Sequence, residues 1–142
     1  MGCDIHMVIE RKRAKDTTWT GVVSTDHLRF DDRPPPSERN YAFFSRIADV
    51  RTYGDDVKTE QPKGVPEDAS DLARQEIERW DCDGHSHSWM PLREFCLAYY
   101  EVCPPEDERD LRYPEARLFG IYPGDGDSRA GEQWRVVFWF DN

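Results

Sequence analysis

The chain has 142 residues, a length that fits one domain and allows about 68–70% of the unfolded surface to be buried. Its 19 basic and 29 acidic residues give a formal net charge of -10, a field that repels phosphate backbones and argues against a nucleic-acid polymer as partner. An aromatic fraction of 13% excludes a wholly disordered chain, and no run approaches the ~18 apolar residues of a membrane span, so no membrane partner is expected.

Residues 4–10 place Ile5, Met7 and Ile9 on one side and Asp4, His6 and Val8 on the other, the period of a strand. Residues 18–24 read as a second strand, joined to the first as a hairpin with a long polar loop. Three consecutive prolines make 31–39 a loop. Asn40 is placed to cap a short helix to about residue 50, with Phe43, Ile47 and Val50 on one stripe. Residues 51–66 hold Gly54, Pro62, Gly64 and Pro66 without a period and form a long loop. Ser70 caps a second helix to about residue 80, whose Leu72, Ala73, Ile77 and Trp80 share a face.

After a polar segment at 81–88, Pro91 suits the first turn of a third helix to about residue 102, stopped by Pro104-Pro105. An acidic irregular stretch leads to a strand expected at 117–122 and a loop tip at Gly124-Asp125-Gly126-Asp127. In 133–140, Trp134, Val136, Phe138 and Phe140 alternate with Arg135, Val137 and Trp139; with both faces largely apolar, this is a central strand covered on both sides. The order β-β-α-α-α-β-β predicts an α+β domain over 1–142: a mostly antiparallel sheet with about three helices grouped on one face.

Asp4 and His6 interrupt any secretory pattern at the N-terminus, and position 6 is not the Ser or Thr of a myristoylation start. The four cysteines contain no Cys-x-x-Cys pair, so free thiols in a cytoplasmic protein are expected, with Cys3 and Cys96 as small core hydrophobes.

Two motifs carry candidate chemistry, Asp4-Ile5-His6 and Asp83-Gly84-His85-Ser86-His87. In extended backbone, residues i and i+2 point the same way, so Asp4 would stand beside His6, and Asp81, Asp83, His85 and His87 would project together. Imidazole and carboxylate suit a divalent metal such as zinc, manganese or iron, for which His6, His85, His87 and Asp83 are the candidate ligands. With three protein ligands a bound water remains, its pKa lowered towards ~7, and Asp4 or Asp83 could serve as catalytic base. The alternative is a polar turn network with no metal, in which Ser86 or Ser88 satisfies backbone N–H groups. A Cys82–His85 nucleophilic pair is a further alternative. Arg39, Asn40 and Tyr41 could meet a phosphate at the N-terminus of the first helix, with Ser86 as another ligand contact; surface salt pairing is the competing reading. Asp125-Gly126-Asp127 lacks the spacing of an EF-hand and reads as a turn.

The opening Met1-Gly2-Cys3-Asp4-Ile5-His6, Arg39-Asn40-Tyr41 with Phe44, Gly64-Val65-Pro66-Glu67-Asp68, Asp83-Gly84-His85-Ser86-His87-Ser88-Trp89 and Val136-Val137-Phe138-Trp139-Phe140-Asp141 together resemble a family of small proteins common in bacteriophage genomes. The resemblance implies phage or prophage origin and no particular activity. Sequence and resemblance together lead to the expectation of a metal-binding protein acting on a small phosphate- or nucleotide-containing ligand, with metal-dependent hydrolysis as its candidate reaction. The competing expectation is a non-catalytic inhibitor of host defence that sequesters such a ligand or acts as an acidic decoy for a host protein. In a third reading, the His and Asp side chains only hold loops together.

Overall fold

The computed structural model describes residues 2–54, 57–123 and 131–141. Strands β1 (Ile5–Lys12) and β4 (Gln133–Phe140) lie side by side and antiparallel, with Ile5 opposite Phe140 and Lys12 opposite Gln133. Strand β2 (Thr20–Ser24) pairs with the outer edge of β1, and β3 (His85–Pro91) with the outer edge of β4, giving the sheet order β2-β1-β4-β3.

The first helix, α1 (Tyr41–Ala48), begins where the Asn40 side chain accepts the Phe43 N–H at 3.1 Å. It ends where Asp49 turns left-handed at φ 52°. Helix α2 (Asp71–Trp80) is capped by Ser70, whose hydroxyl accepts the Ala73 N–H at 3.2 Å, and Arg79 lies in its last turn, complementing the helix dipole. Pro91 precedes α3 (Leu92–Val102), and α4 (Pro114–Phe119) closes the helical set.

Period-2 alternation divides β1 and β4 between two cores. Ile5, Met7, Ile9, Val136, Phe138 and Phe140 face α1, α3 and α4, meeting Phe43, Phe44, Ile47, Leu92 and Phe95 in the larger core. Burying a Phe or Leu side chain of this kind contributes roughly 1.5–3 kcal/mol. The opposite parity, Val8, Val137 and Trp139, packs against Ala69 and Ala73, with Leu72, Ile77 and Trp80 of α2 around them. The result is the expected α+β fold with an antiparallel sheet, but of the three helices expected together on one face only α1 and α3 share it, joined by α4, while α2 covers the other face.

Two elements differ from the sequence reading. Residues 117–122 do not form a strand; Pro114 occupies the first helical turn, and Gly120 ends α4 in the left-handed region at φ 68°. Pro at the start and Gly just past the end are helix punctuation, and they outweigh the short β-like run between them. The polar segment at 81–88 is also more ordered than expected. Asp81–Asp83 form a 3-10 turn, and from His85 the chain enters β3, so the third expected helix starts at Leu92, with Pro91 the last residue of the strand. Serine and histidine at alternating positions conceal this strand, because its apolar contacts come from β4. The loop tip expected at 124–127 lies outside the described residues. Among the described residues, no helix is long and apolar enough to cross a membrane.

Candidate functional site

At one end of the sheet, on the α2 side, a cleft of about 990 Å³ opens. His6 lies in its floor. The β1–β2 pairing sets Val8 opposite Ser24, and the chain continues past β2 into a 3-10 turn, Thr25–His27, that brings Asp26 to the His6 ring. From the other side, the β1–β4 pairing delivers Asp141 beside Asp4: the Asp141 N–H donates to the Asp4 carbonyl at 3.1 Å, and the Asp4 N–H donates to Asp141 Oδ1 at 3.2 Å.

The imidazole is thus clamped between two carboxylates. Its Nδ1 is 2.8 and 3.0 Å from the two oxygens of Asp26, and its Nε2 is 2.7 Å from Asp141 Oδ2. With both carboxylates ionised, each ring nitrogen must donate, so the ring is an imidazolium. Burial pushes the His6 pKa down, but the hydrogen bonds and charges of Asp26 and Asp141 outweigh it and hold the imidazole above its ordinary value. Burial pushes Asp26 up, and the hydrogen bonds from His6 and Trp80 more than reverse it, leaving the carboxyl below its usual range. Trp80, the last residue of α2, donates its indole N–H to Asp26 Oδ2 at 3.0 Å, and its ring lies 4.1 Å from the His6 ring. A cation held against an aromatic face gains further electrostatic attraction.

Around this floor the cleft carries charges of both signs. Arg39 forms a bidentate pair with Asp4, both contacts at 3.1 Å. Arg33 and Arg79 supply two more guanidinium groups, and Glu38 and Asp83 two more carboxylates. Phe30, 83% exposed, stands at the rim.

The residues singled out from sequence are thereby sorted. His6, Asp4, Asp83 and Arg39 share the cleft. His85 and His87 do not join them. Ser86, at φ 55°, breaks the parity of β3, and the pairing with β4 is irregular between His85 and Ser88. His85 therefore stands opposite Phe140, its ring 6.3 Å from that residue's, whereas the His87 ring stacks on Trp139 at 6.3 Å. Trp139 also stacks against His6, at 6.0 Å, and so lies between His6 and His87. The Nε2 atoms of His85 and His87 and the Trp139 indole nitrogen are buried without a hydrogen-bond partner, and burial together with neighbouring His85 pushes the His87 pKa down. Among the described residues, no group of three or more His, Cys, Asp or Glu side chains is arranged to hold a metal ion, so the ligand set His6, His85, His87 and Asp83 is not assembled.

Asn40 and Tyr41 have other work. Asn40 caps α1 and donates to Cys103 Sγ at 3.2 Å; the Tyr41 hydroxyl accepts the Cys3 N–H at 3.1 Å. Ser86 bonds its neighbour, with its Oγ 3.0 Å from His85 Nδ1. Cys3 and Cys96 are buried in the larger core, and all four thiols are free.

Sequence reasoning missed Asp26, Asp141 and Trp80. The available signal was register: a hairpin that sets Val8 opposite Ser24 brings the chain just beyond β2 alongside His6. No family model matches this chain, and neither a curated protein nor a solved structure does so either.

Proposed function

We propose that the chain binds a small phosphate-bearing ligand of the nucleotide class in this cleft and holds it without transforming it. The observation that carries this reading is the His6 clamp. An imidazolium with both nitrogens committed to carboxylates has no lone pair for a general base, and the Asp26 carboxyl, held below its usual range, is a weak base itself. The same clamp gives a rigid, charge-balanced floor. Around it, Arg33, Arg39 and Arg79 offer donors to phosphate, Glu38 and Asp83 offer acceptors to amino groups, and Phe30 and Trp80 offer apolar faces. A volume of about 990 Å³ lies at the upper end for small-molecule sites and accommodates a nucleotide. The net charge of -10 fits a small ligand better than a polymer, because a few local arginines can overrule the global field at one phosphate but not along a strand. Nucleotide pools are cytoplasmic, and the free thiols fit that compartment. The resemblance to small phage proteins is compatible with a protein that sequesters a host nucleotide.

Calorimetry with a panel of nucleoside mono-, di- and cyclic phosphates, each beside its phosphate-free nucleoside, tests the reading. At least one phosphate form should bind about tenfold or more tightly than its nucleoside, the equivalent of one charge-assisted contact, and should be recovered intact. A panel in which nothing binds, or in which metal-free protein converts the ligand, contradicts it.

One observation favours a second reading, metal-dependent hydrolysis. Glu38 and Asp83 line the cleft and form no ion pair with a described cation. A divalent ion arriving with a nucleotide needs only one or two carboxylates beside the phosphate oxygens. Product that appears with manganese or magnesium and disappears in Asp83→Asn would favour this reading.

A further inference from the structure

The cleft contains three arginines, and their surroundings differ. Arg79 reaches toward Glu76 of its own helix at 3.5 Å, and Arg33 donates to the Leu28 carbonyl at 3.4 Å. Arg39 is held from two directions. Its Nε and Nη2 donate to the two oxygens of Asp4, each at 3.1 Å. Its guanidinium also fills the place where a side chain at position 2 would be: a Cβ on Gly2 would lie 2.0 Å from Nη1, 2.2 Å from Cζ and 2.3 Å from Nη2. Real Cβ atoms essentially never approach that closely, so the guanidinium rests against Gly2 only because position 2 has no side chain.

A guanidinium has five N–H donors arranged as two forks, one along Nε and Nη and one across the two terminal nitrogens. Asp4 occupies the first fork. Among the described residues, no acceptor meets Nη1. The second fork is therefore open, and it belongs to a side chain that its pair with Asp4 already orients. An exposed Arg–Asp pair contributes little to stability, and Arg39 and Asp4 are 51% and 48% exposed, so stability alone gives little reason for this arrangement. Fixing the fork in advance, in contrast, removes the entropy cost of ordering a long side chain when an anion binds.

We propose that Arg39 is the group that reads the anionic end of the ligand, and that Gly2 and Asp4 are its positioning residues. The open fork takes two non-bridging oxygens of one group, and a terminal phosphate, which keeps three and carries more charge, offers it more pairings than a diester, which keeps two. A carboxylate has the same two-oxygen geometry. This proposal rests on the ligand-binding reading and assigns Asp4 a role other than base.

Inorganic pyrophosphate, titrated calorimetrically into the whole protein, is the probe, with citrate as the carboxylate arm. Wild type should bind pyrophosphate. Arg39→Gln and Gly2→Ala should each weaken that binding by about tenfold or more, the loss of a charge-assisted fork, while Arg33→Gln and Arg79→Gln have smaller effects. Asp4→Asn, which keeps the fold of the strand entry and removes only the charge partner, should weaken it less than Arg39→Gln. Affinity for a phosphate-free nucleoside that binds wild type should stay unchanged in Gly2→Ala, a result that general loss of structure would not give. If Gly2→Ala and Arg39→Gln bind pyrophosphate as wild type does, or if citrate binds better than pyrophosphate, the assignment is overturned while the ligand-binding reading stands. If wild type binds neither pyrophosphate nor any nucleotide, that reading falls and this one with it.

Discussion

The two faces of this sheet are built from the same strands and do different things. On the face toward α1, α3 and α4, every central position of β1 and β4 is apolar and the packing is aromatic: Phe43 meets Phe95 edge-on at 5.2 Å, and Phe44 meets Phe140 at 5.0 Å. On the face toward α2, the apolar part is smaller, with Val8 beside Val137 and Trp139 next to them. Both ends are ionic. At one end His6 is clamped by Asp26 and Asp141; at the other, buried Arg135 pairs with buried Glu10, whose second oxygen accepts the Ser70 N–H at 2.6 Å. The two ionic ends also differ from each other. Asp68 and the Trp19 ring, 4.0 Å from the Arg135 guanidinium, close off the Glu10 end, whereas the His6 end faces the cleft. Buried charge near an opening can take part in binding, and buried charge behind a packed loop can only fix the loop in place.

The largest effects should come from breaking the closed end and the aromatic face. Replacing Arg135 by Met leaves Glu10 buried and uncompensated, which costs about 3–5 kcal/mol. Adding Glu10→Met should restore most of that, since two apolar side chains replace a pair whose desolvation cancels much of its attraction. Urea unfolding of the single and double variants measures both values, and a double variant as weak as the single would show that the pair contributes through the Ser70 and Asp68 contacts instead. Phe138→Ala on the aromatic face should cost a similar ~3–5 kcal/mol, through lost transfer energy and a residual cavity. No partner substitution is available to recover it, and in folded protein nucleotide affinity should be unaffected, because Phe138 faces away from the cleft.

This contrast also explains what was legible in the sequence. The aromatic face was, because Ile5, Met7 and Ile9 and the even-numbered residues from Trp134 to Phe140 carry the strand period openly. The caps at Asn40 and Ser70 were legible for a local reason: each side chain bonds a backbone N–H three residues on. The ionic face was only half visible. His6 was conspicuous as a polar residue in an apolar strand, but its partners lie 20 and 135 positions away, and only the hairpin register and the β1–β4 pairing bring them together. The pairing of His6 with His85 and His87 failed for a complementary reason. The i,i+2 rule assumes unbroken extended backbone, and Ser86 at φ 55° turns His85 and His87 to different sides. A non-glycine residue in that region gives no sign in sequence.

The smallest of these effects is also the most specific to the open end. His6→Asn keeps a polar side chain but removes the cation between two carboxylates, and hydrogen bonds to charged groups contribute about 1.5–3 kcal/mol. The cost should depend on pH in a direction fixed by the shifts. The His6 pKa is raised above the usual 6.5, so its contribution is complete below that value and is lost as pH rises through the higher folded-state value. The Asp26 pKa is lowered from the usual 3.8, so its contribution is complete above that value and is lost as pH falls through the lower one. The stability difference between wild type and His6→Asn should therefore be widest in mildly acidic solution and narrow as the solution is made alkaline. At the closed end, Glu10→Met/Arg135→Met should show no such narrowing against wild type over the same range, because a guanidinium does not deprotonate there. A His6→Asn difference that stays flat from about pH 5 to about pH 9 would mean that the folded clamp binds no more protons than the unfolded chain, so that the ring is neutral over the upper part of that range. The clamp would then have a lone pair to offer a ligand, and the case for binding without chemistry would weaken accordingly.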